Sequence, residues 1–207
     1  LGESTLLKDF QRSLSRIIIG FGISLVVGMG MGLLAGTFVL VNRLLLPTAS
    51  FLRYIPPTAF VTVMILYFGV GEPHKYAVIF LATVFFNFQM TVDAVLAIDR
   101  AYWEMAKVDR MSPIKLLRWV VVPGAGPQLW TTFRINLSFA WTFLTAAEIV
   151  ASDGGLGSLL TRSQRFLRVD DVFAIMLFFG VIGLGTDMLL SWIGRYLFRW
   201  RHTNHDR

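Results

Sequence analysis

The side chains whose types and spacing could carry out chemical or binding work are concentrated between residues 99 and 123. Five basic and three acidic residues lie there between two long apolar runs: Asp99, Arg100, Glu104, Lys107, Asp109, Arg110, Lys115 and Arg118. Tyr102, Trp103 and Met105 lie among these charges. Aromatic and arginine side chains are common anchors of protein interfaces, so this segment is typical of a docking surface.

No set of residues for catalysis or metal binding is visible in the sequence. The three histidines are scattered at positions 74, 202 and 205, and there is no cysteine. The phosphate-binding pattern Gly-x4-Gly-Lys-Ser/Thr is absent as well. We therefore expect no metal site, no cofactor and no enzymatic activity of the chain itself.

The 99–123 segment is predicted to fold as two short helices packed against each other. Asp99 can cap the first helix, and Ser112 followed by Pro113 can begin the second. Pro123 is expected to end the second helix, because the residue before a proline is disfavoured in the α region.

The elements that position this segment are predicted from composition. Of 207 residues, 55% are apolar and only 15% are charged, against roughly 25% charged residues in a typical soluble domain. The mean hydropathy is +0.63. The net charge of +6 is expected to reflect basic loops beside membrane spans and not nucleic-acid binding, because the basic residues form no continuous stripe. The fold class expected is therefore an all-α membrane protein.

Five transmembrane helices are expected within residues 17–198. Their approximate bounds are 17–41, 58–70, 76–98, 128–151 and 172–198. The first span carries Gly28, Gly32 and Gly36 at four-residue spacing, which lets a second helix approach closely. Residues 1–16 are expected either to lie in the membrane interface as an amphipathic helix or to be a polar lead-in to the first span.

The second span is too short for a regular crossing. Residues 42–57 are expected to form a loop or interfacial segment that ends at the Pro56-Pro57 pair. The apolar run after it extends only about 20 Å as a helix, against roughly 30 Å for the hydrocarbon core. Either the helix begins earlier and kinks at the prolines, or the span is broken and lines a cavity.

The distribution of Lys and Arg predicts the orientation of the chain. The segments expected on the cytoplasmic side are 42–57, 99–123 and the tail 199–207. The segments expected on the outer side are 1–16, 71–75 and 151–171. A further span before Leu1 is expected to return the N-terminus to the cytoplasm.

The hairpin resembles the EAA loop of binding-protein-dependent ABC transporter permeases, Glu-Ala-Ala-x3-Gly-x9-Ile-x-Leu-Pro. Residues 104–106 (Glu-Met-Ala), 110 (Arg) and 120–123 (Val-Val-Val-Pro) keep its spacing throughout. Arg110 replaces the glycine, which disfavours a left-handed turn there and leaves open a turn at Met111-Ser112 instead.

Features outside the loop resemble the nitrate/sulfonate/taurine/bicarbonate branch of that family. They are Arg53, Pro56, Phe68, Gly69, Gly71, Glu72, Arg134, Trp141, Glu148, Gly155, Leu156, Gly157, Asp187 and Trp200. The resemblance implies the fold of an ABC type I importer permease and transport of a small anion across the bacterial cytoplasmic (inner) membrane. The alternatives are an ion-coupled secondary transporter, which should show internal inverted repeats and a buried ionisable pair at mid-membrane, and a membrane enzyme or scaffold, which should show a clustered catalytic set.

The resemblance also implies partners and site residues. The partners would be two ABC ATPase subunits that bind ATP, a second permease copy (identical or a sister subunit) and an extracytoplasmic substrate-binding protein. Residues expected to couple to the ATPase are Tyr102, Trp103, Glu104, Met105, Ala106, Lys107, Arg110 and Pro123. Candidates for a translocation pathway are Asn87, Gln89, Trp141, Thr145 and Glu148. For most of Asn87, Gln89, Thr91 and Asp93 packing inside the bundle near its cytoplasmic end is favoured, with one at best lining the pathway. For Glu148 a structural hydrogen bond to the loop after its span is favoured.

Overall fold

The computed structural model describes residues 3–150 and 153–199. This part of the chain is helical and contains no strand. The helices are α1 (Glu3–Thr37), α2 (Val39–Arg53), α3 (Pro57–Phe68), α4 (Glu72–Leu96), α5 (Arg100–Val108), α6 (Pro113–Leu116), α7 (Val122–Val150), α8 (Leu156–Arg165) and α9 (Val169–Leu197), with a π-helical turn at Leu117–Val121 between α6 and α7. Most of the tail expected in the cytoplasm, residues 200–207, lies outside the described residues.

Helix α1 is continuous across residue 16, so its polar first turns and the first span form one helix. Ser13 and Arg16 are 0% and 1% exposed, and Asp9 is buried as well. These polar side chains face the bundle and form hydrogen bonds with other helices. The polar first turns of α1 are therefore part of the packed structure.

The glycine stripe of α1 packs directly on α4, as its spacing predicted. A Cβ atom added at Gly32 would lie 2.6 Å from the Cβ atom of Thr91, and one added at Gly36 would lie 2.6 Å from the Cβ atom of Val95. Real Cβ contacts are never that short. The two helices therefore approach so closely that any side chain at these positions would force them apart.

Residues 42–57 are not a loop, and the second apolar stretch is two helices with a sharp bend between them. Helix α2 continues to Arg53 with Pro47 inside it, and α3 begins at Pro57. The two helices meet at an angle of 95°. Pro56 and Pro57 cannot donate the backbone hydrogen bonds that would continue α2, so the turn falls immediately before them.

The hairpin forms, but its second helix does not end at Pro123. The Asp99 carboxylate accepts a hydrogen bond from the Ala101 backbone N–H at 2.9 Å, which confirms the predicted cap. After Pro113 the chain passes through the π turn directly into α7, so residues 124–127, between the hairpin and the expected fourth span, are helical. In the π turn the Val122 N–H bonds to the Leu117 carbonyl, and this rearranged pattern accommodates a proline without an N–H.

Fewer helices meet the criteria for crossing a membrane than the five expected. In the described residues, three are long and apolar enough, and the bent α2–α3 pair raises the number to four. Helix α7 is 29 residues long but is not among them. Its polar and charged side chains, among them Arg134, Asn136 and Glu148, lower its hydropathy.

The core lies where α1, α4 and α7 meet. Phe21, Ile79 and Leu144 are packed there in one cluster, and Val95 and Val121 belong to another nearer the hairpin. Helix α9 lies outside this core, because only 6% of its most apolar window is buried. The expected loop 151–171 contains α8, which the sequence did not predict.

Candidate functional site: the hairpin and the polar sites of the bundle

Helix α5 presents an apolar row on its outer face. Tyr102 and Met105 are 54% and 51% exposed, and Val108 follows at the same three-residue spacing and is also exposed. Glu104 and Lys107 are exposed beside them, with Glu104 accepting a hydrogen bond from Arg100 at 2.8 Å. Large apolar side chains on a solvent-accessible helix are typical of a surface that a partner covers.

Two of the expected coupling residues point the other way. Ala106 is 5% exposed, and Trp103 packs with Val95 and Val121 in the core cluster beneath α5. Tyr102 and Trp103 are neighbours in sequence, but successive residues of a helix are about 100° apart, so they cannot share one face. Trp103 and Ala106 therefore attach α5 to the bundle and do not belong to its outer surface.

The left-handed turn lies at Arg110 and not at Met111-Ser112. Arg110 has φ +48°, and α5 ends in a Schellman motif. The Met111 N–H bonds to the Ala106 carbonyl at 3.1 Å, and the Arg110 N–H bonds to the Lys107 carbonyl at 3.1 Å. The turn that glycine makes in the resembled motif is thus kept with a strained arginine.

The rest of the hairpin adds exposed apolar surface that the sequence reasoning missed. Ile114 and Trp119 are 78% and 68% exposed. Pro123 is exposed at the first turn of α7. The sequence reasoning also missed Val108. Its place in the docking surface could have been predicted, because Tyr102, Met105 and Val108 recur at helical spacing, which is typical of a one-sided apolar face.

Two of the five pathway candidates are fully buried. The Asn87 amide donates to the Ser24 hydroxyl at 2.8 Å and accepts from the Asn136 amide at 2.7 Å, which joins α4 to α1 and α7. Glu148 is 0% exposed and forms part of an ion-pair network. Both side chains are engaged in holding helices together, the role that the sequence favoured for each of them.

The other three candidates lie on accessible surfaces. Gln89 is half-buried on α4, where its amide donates to Asp93 at 3.2 Å. Trp141 and Thr145 line a cavity of about 550 Å³ between α7 and α9, to which Ser138 and Thr142 also contribute. The structure therefore does not bring the five candidates together at one site.

The Glu148 network ties α1 to α7 and to the loop before α8. The Glu148 carboxylate accepts hydrogen bonds from the Ser13 hydroxyl at 2.7 Å, from the Arg16 guanidinium at 2.7 Å and from the Gly157 backbone N–H at 2.8 Å. Arg16 also donates to Glu72 of α4 at 2.7 Å. A buried guanidinium thus lies between two carboxylates on two other helices.

The loop before α8 carries two further polar ties at this end of the bundle. The Asp9 carboxylate accepts from the Gly155 N–H at 3.0 Å, and Lys75 donates a hydrogen bond to Asp153. Burial opposes ionisation of Asp153, but the hydrogen bond and charge of Lys75 outweigh it and lower the pKa of Asp153. The sequence reasoning missed Arg16, although Asp9, Ser13 and Arg16 recur at helical spacing on one face.

A second ion pair joins α7 to α9. The Arg134 guanidinium donates to both carboxylate oxygens of Asp187, at 2.9 Å each. Both residues are part-exposed. Trp130 supports the same contact by donating its indole N–H to the Leu190 carbonyl at 2.9 Å.

A multi-helix apolar bundle with a polar helical hairpin at one end defines the class of protein: an all-helical membrane protein. The chain belongs to the family of binding-protein-dependent transport system inner membrane components, whose model matches residues 24–202.

The relatives and solved structures agree with this assignment. The chain is 34% identical over 188 residues to the bicarbonate transport system permease protein CmpB of Synechococcus elongatus, covering 90% of this chain and 68% of that protein. It is 30% identical to the taurine transport system permease protein TauC of Escherichia coli, covering 96% of this chain and 72% of that protein. A chain of the MetNI methionine ABC transporter in an inward-facing conformation has the same fold, with a TM-score of 0.84, 17% identity and coverage of 95% of this chain and 96% of that one.

Proposed function

We propose that this chain is the permease subunit of an ATP-driven importer and couples to a separate ATPase through the hairpin between α4 and α7. The observation that carries the proposal is the exposed row of Tyr102, Met105 and Val108 on a short amphipathic helix. Exposed aromatic and Met side chains with a charged rim suit a groove in another protein.

The inner side of α5 explains how a force on this surface would reach the spans. Trp103 packs against the cluster that contains Val95 of α4 and Ala125 of α7, and Ala106 is buried one turn further along α5. The π turn makes the hairpin continuous with α7. Movement of the docked ATPase would therefore pull on two core helices at once. ATP would be bound and hydrolysed by the partner, and the permease would supply the passage.

The crossing of the membrane by five spans is part of the proposal. Helix α7 would cross as the fourth span, and α2 with α3 would cross as one broken span. The hairpin would lie on the cytoplasmic side of a bacterial inner membrane. The end with Arg16 and Glu148 would then face outward, where an extracytoplasmic binding protein delivers substrate, and a second permease copy would complete the passage.

The substrate class proposed is a small anion: bicarbonate, nitrate or a sulfonate such as taurine. It is supported by the relatives named for bicarbonate and taurine transport. Helices α7 and α9 add a cavity lined by Ser138, Thr142 and Thr145. The Thr142 and Thr145 hydroxyls donate to the backbone carbonyls of Ser138 and Trp141, so the Ser138 hydroxyl is the donor proposed for an anion.

The test is to substitute the exposed row and measure association with the ATPase. Met105→Glu, in the complex purified from a membrane extract, should abolish copurification of the ATPase subunit and stop ATP-dependent uptake. Phe166→Glu is the matched control for copurification and should retain the ATPase, because Phe166 is 72% exposed at the end of the bundle opposite the hairpin. Retained association in Met105→Glu would contradict coupling through this face. Uptake of taurine or bicarbonate by the chain alone, driven by an ion gradient without ATP, would support the alternative of a secondary transporter.

A further inference from the structure

Arg53 occupies an unusual place in the fold. It is the last residue of α2, immediately before the 95° break, and lies at the middle of the broken span from Val39 to Phe68. Its guanidinium carbon is 5.9 Å from the ring centre of Phe86, which lies near the middle of α4. Arg53 is therefore at half the height of the bundle, far from both ends.

Among the residues that the structure describes, this guanidinium has no acidic partner. In the described part of the chain, its contacts are with the rings of Tyr54, at 5.6 Å, and of Phe86. The other basic side chains placed inside the bundle are neutralised: Arg16 by Glu148 and Glu72, Lys75 by Asp153 and Arg134 by Asp187. Arg53 is a mid-height cation with its charge uncompensated.

The surroundings of Arg53 are apolar and aromatic. Phe86 packs against Phe139 and Phe143 of α7, with ring centres 5.5 and 6.5 Å away, and Tyr54 is largely exposed. Contacts with aromatic faces compensate a cation only in part. An unpaired arginine at half the height of the bundle costs free energy if it faces lipid. Extending the side chain to the membrane–water interface relieves that cost only for residues near the two ends of a membrane span. The charge therefore requires a water-filled passage and a counter-ion.

We propose that Arg53 is a binding site for the transported anion at the middle of the passage. The inference rests on the proposed function and deepens it, since it assigns the residue that selects for negative charge. A guanidinium presents two parallel N–H donors to a planar or tetrahedral oxyanion, which fits bicarbonate and a sulfonate group. Arg53 lies directly before the break between α2 and α3, and broken spans commonly line a cavity.

The experiment uses the whole reconstituted complex with its ATPase and binding protein, and radiolabelled taurine and bicarbonate as probes. Arg53→Gln should lower the uptake of the transported probe by about tenfold or more, the size expected for losing a charge-assisted hydrogen bond. Arg53→Lys should retain more of the wild-type uptake than Arg53→Gln, because lysine keeps the positive charge and loses only the two parallel N–H donors of the guanidinium. Arg43→Gln is the matched control: it removes an exposed cation from the same helix and should leave uptake unchanged.

Thermal stability separates binding from a structural role. Because Arg53 makes no hydrogen bond or ion pair among the described residues, Arg53→Gln should leave the Tm unchanged or raise it. A parallel fall of Tm and uptake would overturn the proposal, as would wild-type uptake in Arg53→Gln. If the wild-type complex transports neither probe, the proposed anion function fails first; if it transports one and Arg53→Gln does too, only the role of Arg53 fails.

Discussion

Removing the buried charge of Glu148 is the perturbation whose magnitude the structure defines best. Glu148→Gln preserves shape but provides one acceptor and one donor in place of two acceptors. If the amide oxygen keeps the bonds from Ser13 and Arg16, the amide nitrogen faces the Gly157 N–H, and two donors meet. An unsatisfied buried N–H costs about 1–3 kcal/mol.

The loss of charge adds to that cost. Arg16 is 1% exposed and would be left with Glu72, which is 46% exposed and partly screened by solvent. Breaking a buried ion pair by removing one partner costs about 3–5 kcal/mol in total. For a chain of this size each kcal/mol lowers Tm by about 2–4 °C, so a loss near the lower end of that range corresponds to about 6–12 °C.

The assay is thermal unfolding in lipid nanodiscs, followed by intrinsic tryptophan fluorescence. Arg16→Gln should destabilise at least as much, because it leaves the fully buried Glu148 carboxylate with neutral donors. The double variant should be less destabilised than the sum of the single variants, with a coupling of about 1–3 kcal/mol. Glu104→Gln, in the exposed Arg100–Glu104 pair, is the control and should change stability by less than about 0.5 kcal/mol. A Tm of Glu148→Gln equal to that of the control would refute the reasoning.

Three further predictions concern single positions. Gly32→Ala should destabilise the protein by about 1–3 kcal/mol, because its Cβ meets α4, whereas Gly22→Ala in the same helix has open space and should be neutral or stabilising in the same unfolding assay. Arg110→Gly should raise stability by about 1 kcal/mol, since a residue at φ +48° is strained unless it is glycine; an unchanged Tm would contradict this. The pKa of Asp153 is lowered in the folded protein, so its ionisation stabilises the fold. This contribution is complete above the unfolded-state pKa of about 3.9 and is lost as pH falls through the folded-state pKa. Unfolding measured over an acid titration should show this loss of stability in the wild type and not in Asp153→Asn.

The parts of the fold that could be predicted from sequence depend on local patterns. The Gly28-Gly32-Gly36 stripe indicated close helix packing, because it needs only the helical period. The Asp99 cap needs only the next turn, and it is present at 2.9 Å. The apolar character of α1, α4 and α9 follows from composition alone.

The parts that could not be predicted depend on partners distant in sequence. The polar start of α1 belongs to the bundle because Arg16 pairs with Glu148, 132 residues away. The helix through Pro123 continues because a π turn redistributes its backbone hydrogen bonds. Neither the pairing nor the π turn leaves a mark in the local pattern of apolar residues.

The candidate coupling surface was likewise predicted only in part. The stretch was identified correctly as a helical hairpin, but a sequence motif does not separate outward from inward side chains. Burial of Trp103 against Val95 and Val121 assigns it to the attachment of α5, while Val108 enters the outer face. Arg110 keeps the left-handed turn because two backbone hydrogen bonds hold it, which outweighs the preference of a single residue.

The distribution of close packing suggests which parts of the bundle move together. Helices α1 and α4 are in direct backbone-level contact along the glycine stripe, and Arg16 and Glu148 lock α7 to them at the end opposite the hairpin. Helix α9 is joined to α7 by the Arg134–Asp187 pair and the Trp130 hydrogen bond, and it also contacts α8 and Phe10 of α1. A force applied at α5 reaches α4 and α7 first, so we infer that α1, α4 and α7 respond as one unit. The 550 Å³ cavity lies at the α7–α9 contact, where this unit meets its most weakly attached helix. A disulfide that joins α1 to α4 should therefore leave transport intact, whereas one that joins α7 to α9 across the cavity should block it, and block by both would contradict a rigid unit.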